Sequence, residues 1–412
     1  MKVPLDYLSG DFSPSFGAER ACAEARFLAG RRKPWDLMAW SFLTTDEQGW
    51  TTKTVPHLCQ ELSEVLAQGG ATFIYDVPQR SGRLTDWHQD VLAQVAAFCR
   101  KRQALCHQTE TIPQVAILHS ETFFYKNNQP LYNFAWANYP IEGALHAVLE
   151  NGYSADLLNE EALVARMSAY PIVIVPEQEG LPANVIDALK TYVQNGGHLL
   201  VSGANTAQEY PELAGVKIAE GQHDKAYVPA DGGSVIVPGP WQNVTLAGAT
   251  ELAPLLKQQD PALDQAGTPA ATVNRVGKGV VVAIHGPVFR SYVRAHFPRL
   301  RCFIGGALAA LDAPAAKVDG PWWIEMSARK KDTRLLIQLV NRSAAGYTAP
   351  NRHMVESVPD AGPFSVSIPL AASPKRCYVA PDEAGLEWSW KDGTLTARIG
   401  GLAIHNVLVI EP

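Results

Sequence analysis

Two carboxylates, Asp11 and Asp76, stand at the ends of short strand-type runs and are accompanied by aromatic and polar residues. Asp11 closes Leu5-Asp6-Tyr7-Leu8-Ser9-Gly10-Asp11, where the glycine lets backbone approach a ligand closely. Asp76 closes the apolar run that begins at Ala71, directly after Tyr75 and three residues before Gln79. Between them lie Trp35-Asp36-Leu37-Met38-Ala39-Trp40 and a following loop with Trp50 and Lys53. Carboxylates interleaved with tryptophan and tyrosine suit a carbohydrate site. Glycosidic hydrolysis needs two carboxyl groups, about 5–5.5 Å apart for retention or about 6.5–9.5 Å for inversion. Aromatic faces stack on the C–H surfaces of sugar rings. Asp11 and Asp76 are therefore the candidate catalytic residues, with Trp40, Trp50, Lys53, Tyr75 and Gln79 as candidate substrate-binding residues. Each also has a structural reading: Asp36 as a cap or a partner of Arg31 or Arg32, Trp35 and Trp40 as core, Asp76 as a turn former before Pro78.

These residues need a scaffold that brings strand ends to one rim. The runs Leu5–Phe12, Trp35–Phe42 and Ala71–Val77 alternate with helical spacing over Ala18–Leu28 and Val55–Gln68, and the helix Trp87–Arg102 follows. Gly69-Gly70 stops the second helix before its strand. Such β/α units imply a parallel sheet, with functional residues at the C-terminal strand ends as in a (β/α)8 barrel. A closed barrel takes roughly 250 residues. Residues 1–110 supply well under half of one, so the expectation is the last three β/α units of a barrel, truncated upstream.

A second α/β series fills residues 111–314. Val115–Leu118, Pro171–Pro176 and His198–Ser202 read as buried strands, Ile141–Glu150, Ala183–Gln194 and Arg299–Leu311 as helices, and Val276–His285 as a late strand after a loop-rich stretch from Ala207 to Thr272. Asn195-Gly196-Gly197 supplies left-handed residues that end a helix. The pattern implies a flavodoxin-like or class I glutamine-amidotransferase-like domain. That chemistry needs a cysteine on a strand-to-helix elbow. No cysteine lies between Cys106 and Cys302, and Ser202 would have to find its base among His198, His223 and His285 without a supporting motif. The domain is expected to serve architecture or assembly.

Residues 315–412 carry seven short strands rich in aromatic and β-branched residues, separated by turns such as Lys391-Asp392-Gly393, the spacing of an antiparallel β-sandwich or a small barrel, of which the sandwich is the expectation. Trp388 and Trp390 share a face of one strand and read either as core or as a sugar-stacking surface. The overall fold class is thus α/β plus all-β.

Composition narrows the partners. The 412 residues carry a net charge of -6, with 47% hydrophobic and 18% charged residues, enough for two or three cores. Without a basic block longer than Arg31-Arg32-Lys33 or Arg329-Lys330-Lys331, no nucleic-acid footprint exists. The N-terminus lacks the apolar core of a signal peptide and no run reaches a membrane span, so no membrane partner is expected and the default location is cytoplasmic. The six cysteines show no metal spacing and are expected to be free buried thiols. The sequence signals no metal and no organic cofactor.

The succession Leu5 to Asp11, Lys33-Pro34-Trp35-Asp36-Leu37-Met38, Gly49-Trp50-Thr51-Thr52-Lys53, and Gly69-Gly70 before the strand to Asp76 resembles the second half of the barrel of α-L-fucosidase-like glycoside hydrolases. Tyr170–Glu177 with Asn195–Gly203 resembles the amidotransferase-like trimerisation domain that follows the barrel there and in β-galactosidases of similar domain order. The resemblance implies a carbohydrate partner, action on a fucoside- or galactoside-like bond, and homo-oligomerisation through 111–314. It also implies that the nucleophile, an aspartate near the middle of the family's barrel, has no counterpart here, which leaves Asp11 as an acid/base or binding residue. A chain of this kind is either a glycoside hydrolase-type protein or a non-catalytic carbohydrate-binding or oligomerisation protein.

Overall fold

In the computed structural model the described residues are 4–13, 17–45, 49–128, 138–260, 262, 265–343 and 354–412. The chain forms two compact units, Met1–Ile112 with Gly152–Ser154 and Ala316–Pro412, and Pro113–Asn151 with Ala155–Ala315. The first and third sequence regions therefore share one unit.

The first unit begins with β1 (Leu8–Asp11), α1 (Gly17–Gly30), β2 (Trp35–Trp40), the ribbon β3 (Phe42–Thr45) and β4 (Gly49–Thr52), α2 (Val55–Ala67), β5 (Ala71–Tyr75), α3 (Asp86–Cys106) and β6 (Glu110–Thr111). Strands β1, β2 and β5 form a parallel sheet in that order. Helix α2 starts where the Thr54 hydroxyl accepts the His57 N–H, with Pro56 in the first turn, where a missing N–H does no harm. It ends at Ala67, and the chain turns at Gly69, whose φ of 85° suits glycine. At Gly70 a Cβ would sit 2.4 Å from the Trp35 ring, so this turn packs directly on β2. Leu37 and Ala39 point to the helices and are fully buried; Asp36, Met38 and Trp40 occupy the other face, as strand alternation requires.

The second unit runs β7 (Val115–Leu118), α4 (Glu121–Asn127), α5 (Tyr139–Glu150), β8 (Ala155–Leu158), α6 (Glu160–Arg166), β9 (Ile172–Pro176), α7 (Ala183–Gln194) and β10 (His198–Ser202). Then come α8 (Thr206–Glu209), α9 (Pro211–Ala214), β11 (Val216–Ala230), β12 (Gly233–Leu246), β13 (Thr250–Leu256), β14 (Gln265–Val276), β15 (Gly279–Ile284), α10 (Val288–Ala295) and α11 (Pro298–Ala309). One nine-stranded sheet has the order β12-β11-β13-β14-β15-β10-β9-β7-β8, parallel from β15 through β8 and antiparallel at the other end. β7, β8 and β9 are buried along their whole length, which explains the unbroken apolar sequences of β7 and β9; β8 carries the buried Asp156, which accepts from the Tyr170 hydroxyl at 3.1 Å. The stretch expected to be loop-rich is instead four long strands. Their alternation is broken by bulges between Ile218 and Gln222 and between His223 and Lys225, and by glycine and proline, which hid the period.

The first unit is completed by β16 (Lys317–Asp319), β17 (Ile324–Lys331), β18 (Arg334–Asn341), β19 (Phe364–Pro369), β20 (Arg376–Ala380), β21 (Ala384–Gly385), β22 (Glu387–Lys391), β23 (Thr394–Ile399) and β24 (His405–Glu411). They form antiparallel sheets ordered β16-β19-β23-β22 and β21-β20-β24-β18-β17-β6. Ile337, Leu339, Leu408 and Ile410 of the second sheet meet Val366, Leu395 and Ala397 of the first in a sandwich core. The alternate residues Leu336, Val407 and Val409 turn outward from that core and pack with Leu58, Leu62, Val65 and Val95 of α2 and α3. This second apolar face joins the N-terminal segment to the sandwich. Trp388 is packed against the sandwich core, whereas Trp390 is 37% exposed and donates its indole N–H to the Leu370 carbonyl. All six cysteines are free thiols; Cys302 is exposed and the other five are buried.

Candidate functional site

The parallel register aligns the C-terminal ends of β1, β2 and β5: Asp11 lies opposite Met38, and Trp40 opposite Tyr75. Two consecutive residues at the end of β2 then hold the two candidate carboxylates. The Trp40 indole N–H donates to Asp11 Oδ2 at 3.2 Å, and the Ser41 hydroxyl donates to Asp76 Oδ1 at 2.7 Å. One dipeptide thus supplies a donor to each acid. The Ser41 N–H also donates to the Tyr75 carbonyl at 2.8 Å, which fixes the dipeptide against β5. Around it the Trp40 and Tyr75 rings meet edge-to-face at 5.7 Å, and Phe42 lies 5.3 Å from Trp40 and 5.8 Å from Tyr75.

The two acids differ in environment. Asp11 is exposed at its strand end, while the Asp76 side chain is 6% exposed. His88, in the first turn of α3, places Nδ1 3.5 Å from Asp76 Oδ1 and Nε2 2.6 Å from the Thr52 hydroxyl. Thr52, His88 and Asp76 thus stand in the sequence of a nucleophile, base and acid. The 3.5 Å separation is too long for the orienting hydrogen bond of such a triad, and Asp76 Oδ1 already accepts from Ser41. His88 faces Asp76 without a hydrogen bond to it, and Ser41 is the group that holds Asp76 Oδ1. His88 gave no sequence signal, because it lies on a helix twelve residues beyond the strand end.

Lys53 departs from the expectation of a rim residue. Its side chain is buried, with Nζ 2.7 and 2.9 Å from the two Glu61 oxygens, and Glu61 also faces His57 Nε2 at 3.1 Å. Burial pulls the Lys53 ammonium below the usual lysine range, opposed by the Glu61 charge. The pair ties the β4–α2 connection from beneath, and the neighbouring His57 Nδ1 accepts the Val355 N–H at 3.2 Å. Gln79 is exposed and donates to the Thr85 hydroxyl at 3.1 Å, closing a loop also pinned by the Gln79 N–H to the Arg83 carbonyl. Trp50 lies in β4, and its side chain is outside the described residues. Asp36 accepts from the Ser9 hydroxyl at 2.5 Å.

No protein-family model matches this sequence, and no curated protein matches it. Solved structures do match. An α-L-fucosidase, isoenzyme 2 from Paenibacillus thiaminolyticus, superposes with a TM-score of 0.82 at 19% identity, over 98% of this chain and 65% of that one. β-Galactosidases from Bacillus circulans sp. alkalophilus and from the haloarchaeon Halorubrum lacusprofundi give TM-scores of 0.66 and 0.63, each at 14% identity. They are matched over 98% and 99% of this chain and 60% of theirs. The chain has a glycoside hydrolase-like fold. It spans about two thirds of the length of these structures or less.

The second unit has its own cavity, of about 340 Å³, lined by Glu177, Ser202, Asn205, Tyr210 and Arg290 among others. Ser202 would need a histidine on its hydroxyl to act as a nucleophile. Among the described residues no group hydrogen-bonds Ser202 Oγ, so the base that such a nucleophile needs is not on its hydroxyl. Glu177, at a left-handed φ of 47°, accepts the Phe289 and Arg290 N–H groups at 2.6 and 2.9 Å, and burial raises its carboxyl to about 8 against them. Its carboxyl oxygens cap the first turn of α10, a structural use of the strained turn.

Proposed function

We propose that this chain acts on carbohydrate as a glycoside hydrolase-type protein, with the β1-β2-β5 sheet as the distal β/α units of a barrel. In this reading the rim formed by Asp11, Trp40, Tyr75 and Asp76 takes one ring of a fucoside- or galactoside-like substrate. The observation that carries the reading is the linked set Asp11–Trp40–Ser41–Asp76 at the C-terminal ends of three parallel strands, where such scaffolds carry their chemistry. The fold likeness to a fucosidase and to β-galactosidases supports the substrate class. Trp40 and Tyr75 would supply the stacking surface, and the two differently buried carboxyls the polar recognition or proton transfer.

A carbohydrate-binding role without hydrolysis is favoured by one observation. Phe73 and Tyr75, on the same face of β5, are 48% and 40% exposed, a ready platform for sugar rings. Hydrolysis of aryl α-L-fucoside and aryl β-D-galactoside separates the two readings, measured on this chain and on a form extended at its N-terminus. Turnover that Asp76→Asn abolishes supports the enzyme reading. Saturable sugar binding without turnover in either form supports the binding reading, and neither turnover nor binding refutes both.

A further inference from the structure

Helices α5 and α10 of the second unit approach so closely that a Cβ on Gly143 would lie 1.9 Å from the Phe289 carbonyl oxygen. This approach brings His146 and Glu150, one turn apart on α5, against His296, which caps α10 at a left-handed φ of 47°. Ligand-capable atoms of the three residues all lie within 4.8 Å of one another. The His146 and His296 rings have centroids 5.2 Å apart. Two imidazoles on one tetrahedral ion, at Zn–N distances of about 2.0–2.1 Å, place their centroids about 5 Å apart.

The surrounding groups divide the Glu150 carboxylate into two ends. Oε2 accepts from the Tyr292 hydroxyl and faces Arg301 Nη1 at 3.6 Å, while Oε1 faces His296 Nδ1 at 3.3 Å. Outer partners of this kind orient a ligating carboxylate and leave its other oxygen for an ion. His146 and Glu150 are buried, but the His296 side chain is 33% exposed, which gives an ion a route in. The other grouping of ligand types, Cys22, Glu64 and Glu325 in the first unit, differs in holding Arg26 and Arg342 against its carboxylates, so guanidinium groups already supply its positive charge.

We propose that His146, Glu150 and His296 bind one divalent ion of the zinc class, fastening the end of α10 to α5 with a fourth position toward solvent. Two imidazoles and one carboxylate favour Zn²⁺, Co²⁺ or Ni²⁺ over the oxygen-seeking Mg²⁺ and Ca²⁺. Binding draws on neutral imidazoles and an ionised carboxylate. The assignment does not depend on the sugar reading of the first unit.

The test uses the full chain stripped with a chelator and titrated with Zn²⁺ by calorimetry, and with Co²⁺ by visible absorption. The expected result is one equivalent bound, a strong four-coordinate Co²⁺ band and a raised melting temperature with Zn²⁺. Loss even of an outer partner commonly costs about 10–100-fold in affinity, so His296→Ala is expected to cost about tenfold or more. It should also remove the Co²⁺ band and the melting shift. His296 is partly exposed, so the metal-free melting temperature of His296→Ala serves as the folding control, and His223→Ala, remote in sequence and on strand β11, should bind as the parent does. No stoichiometric binding, binding equal in His296→Ala, or selective uptake of Mg²⁺ would overturn the assignment.

Discussion

Lys53 Nζ is bound by both oxygens of Glu61, at 2.7 and 2.9 Å, in a pair almost without solvent contact. The charge of each residue is therefore tolerable only because of the other. Lys53→Met strands a buried carboxylate with His57 alone and is expected to cost about 3–5 kcal/mol in urea unfolding. Replacing both partners by Lys53→Met with Glu61→Leu removes the stranded charge, and most of the lost stability should return. A double variant no more stable than Lys53→Met would contradict this account.

Trp40 stands half-buried between Asp11 and Tyr75, so its ring and its N–H can be separated by mutation. Trp40→Phe keeps an aromatic face and loses one exposed hydrogen bond. Trp40→Ala removes the face as well. On the proposed sugar site, Trp40→Ala lowers affinity for the monosaccharide about tenfold and Trp40→Phe by less than about threefold, since stacking on an aromatic face is worth about 0.5–1.5 kcal/mol beyond area burial. Titrations by NMR, with both melting temperatures recorded, check this; equal losses in the two variants would assign the effect to the indole N–H.

Much of this site is visible in the sequence because strand ends are visible. Asp11, Trp40, Tyr75 and Asp76 close short strand-type runs, of which β2 shows a buried face at Leu37 and Ala39, and parallel pairing then aligns their ends. Lys53 misled because a lysine after an aromatic loop suits a sugar hydroxyl and a buried carboxylate equally; its partner Glu61, eight residues on, lies inside the apolar helix α2 as the only visible hint. His88 and the pairing of His146 and Glu150 with distant His296 depend on helix packing, which sequence spacing does not encode. The four strands from Val216 to Val276 are hard to read from sequence for a local reason, bulges and prolines that reset their alternation.

Gly143 offers a test of how tightly α5 and α10 are held. The atom nearest an added Cβ is the Phe289 carbonyl oxygen, part of the backbone, at 1.9 Å, and a backbone cannot turn aside as a side chain can. Gly143→Ala must separate the helices, although alanine alone would favour α5 by about 1 kcal/mol. Overpacking of this kind costs about 1–3 kcal/mol or more, so net destabilisation is expected in chemical unfolding of the second unit. Unchanged or raised stability would show that the helices can part freely.

His405 makes the first unit sensitive to acid. Arg102 can only donate, and its Nε lies 3.2 Å from His405 Nδ1, so that nitrogen holds the lone pair and Nε2–H donates to Gln338 Oε1 at 3.0 Å. The imidazole is thereby fixed in its neutral form. Burial, with the Arg102 charge adding to it, lowers its pKa to about 3. In the unfolded chain the same imidazole titrates near the usual histidine value of about 6.5, so below that pH the unfolded state takes up a proton that the folded state refuses. Stability from this residue is complete above about pH 6.5 and declines by about 1.4 kcal/mol per pH unit down to about pH 3. His285 in the second unit, lowered by burial to about 4, adds a decline of the same sign there. His405→Gln keeps a donor and an acceptor without the titration. Urea unfolding between pH 7 and pH 4, followed on the first unit, should show a slope shallower by about one proton in the variant, and parallel slopes would mean that His405 is protonated in the folded protein.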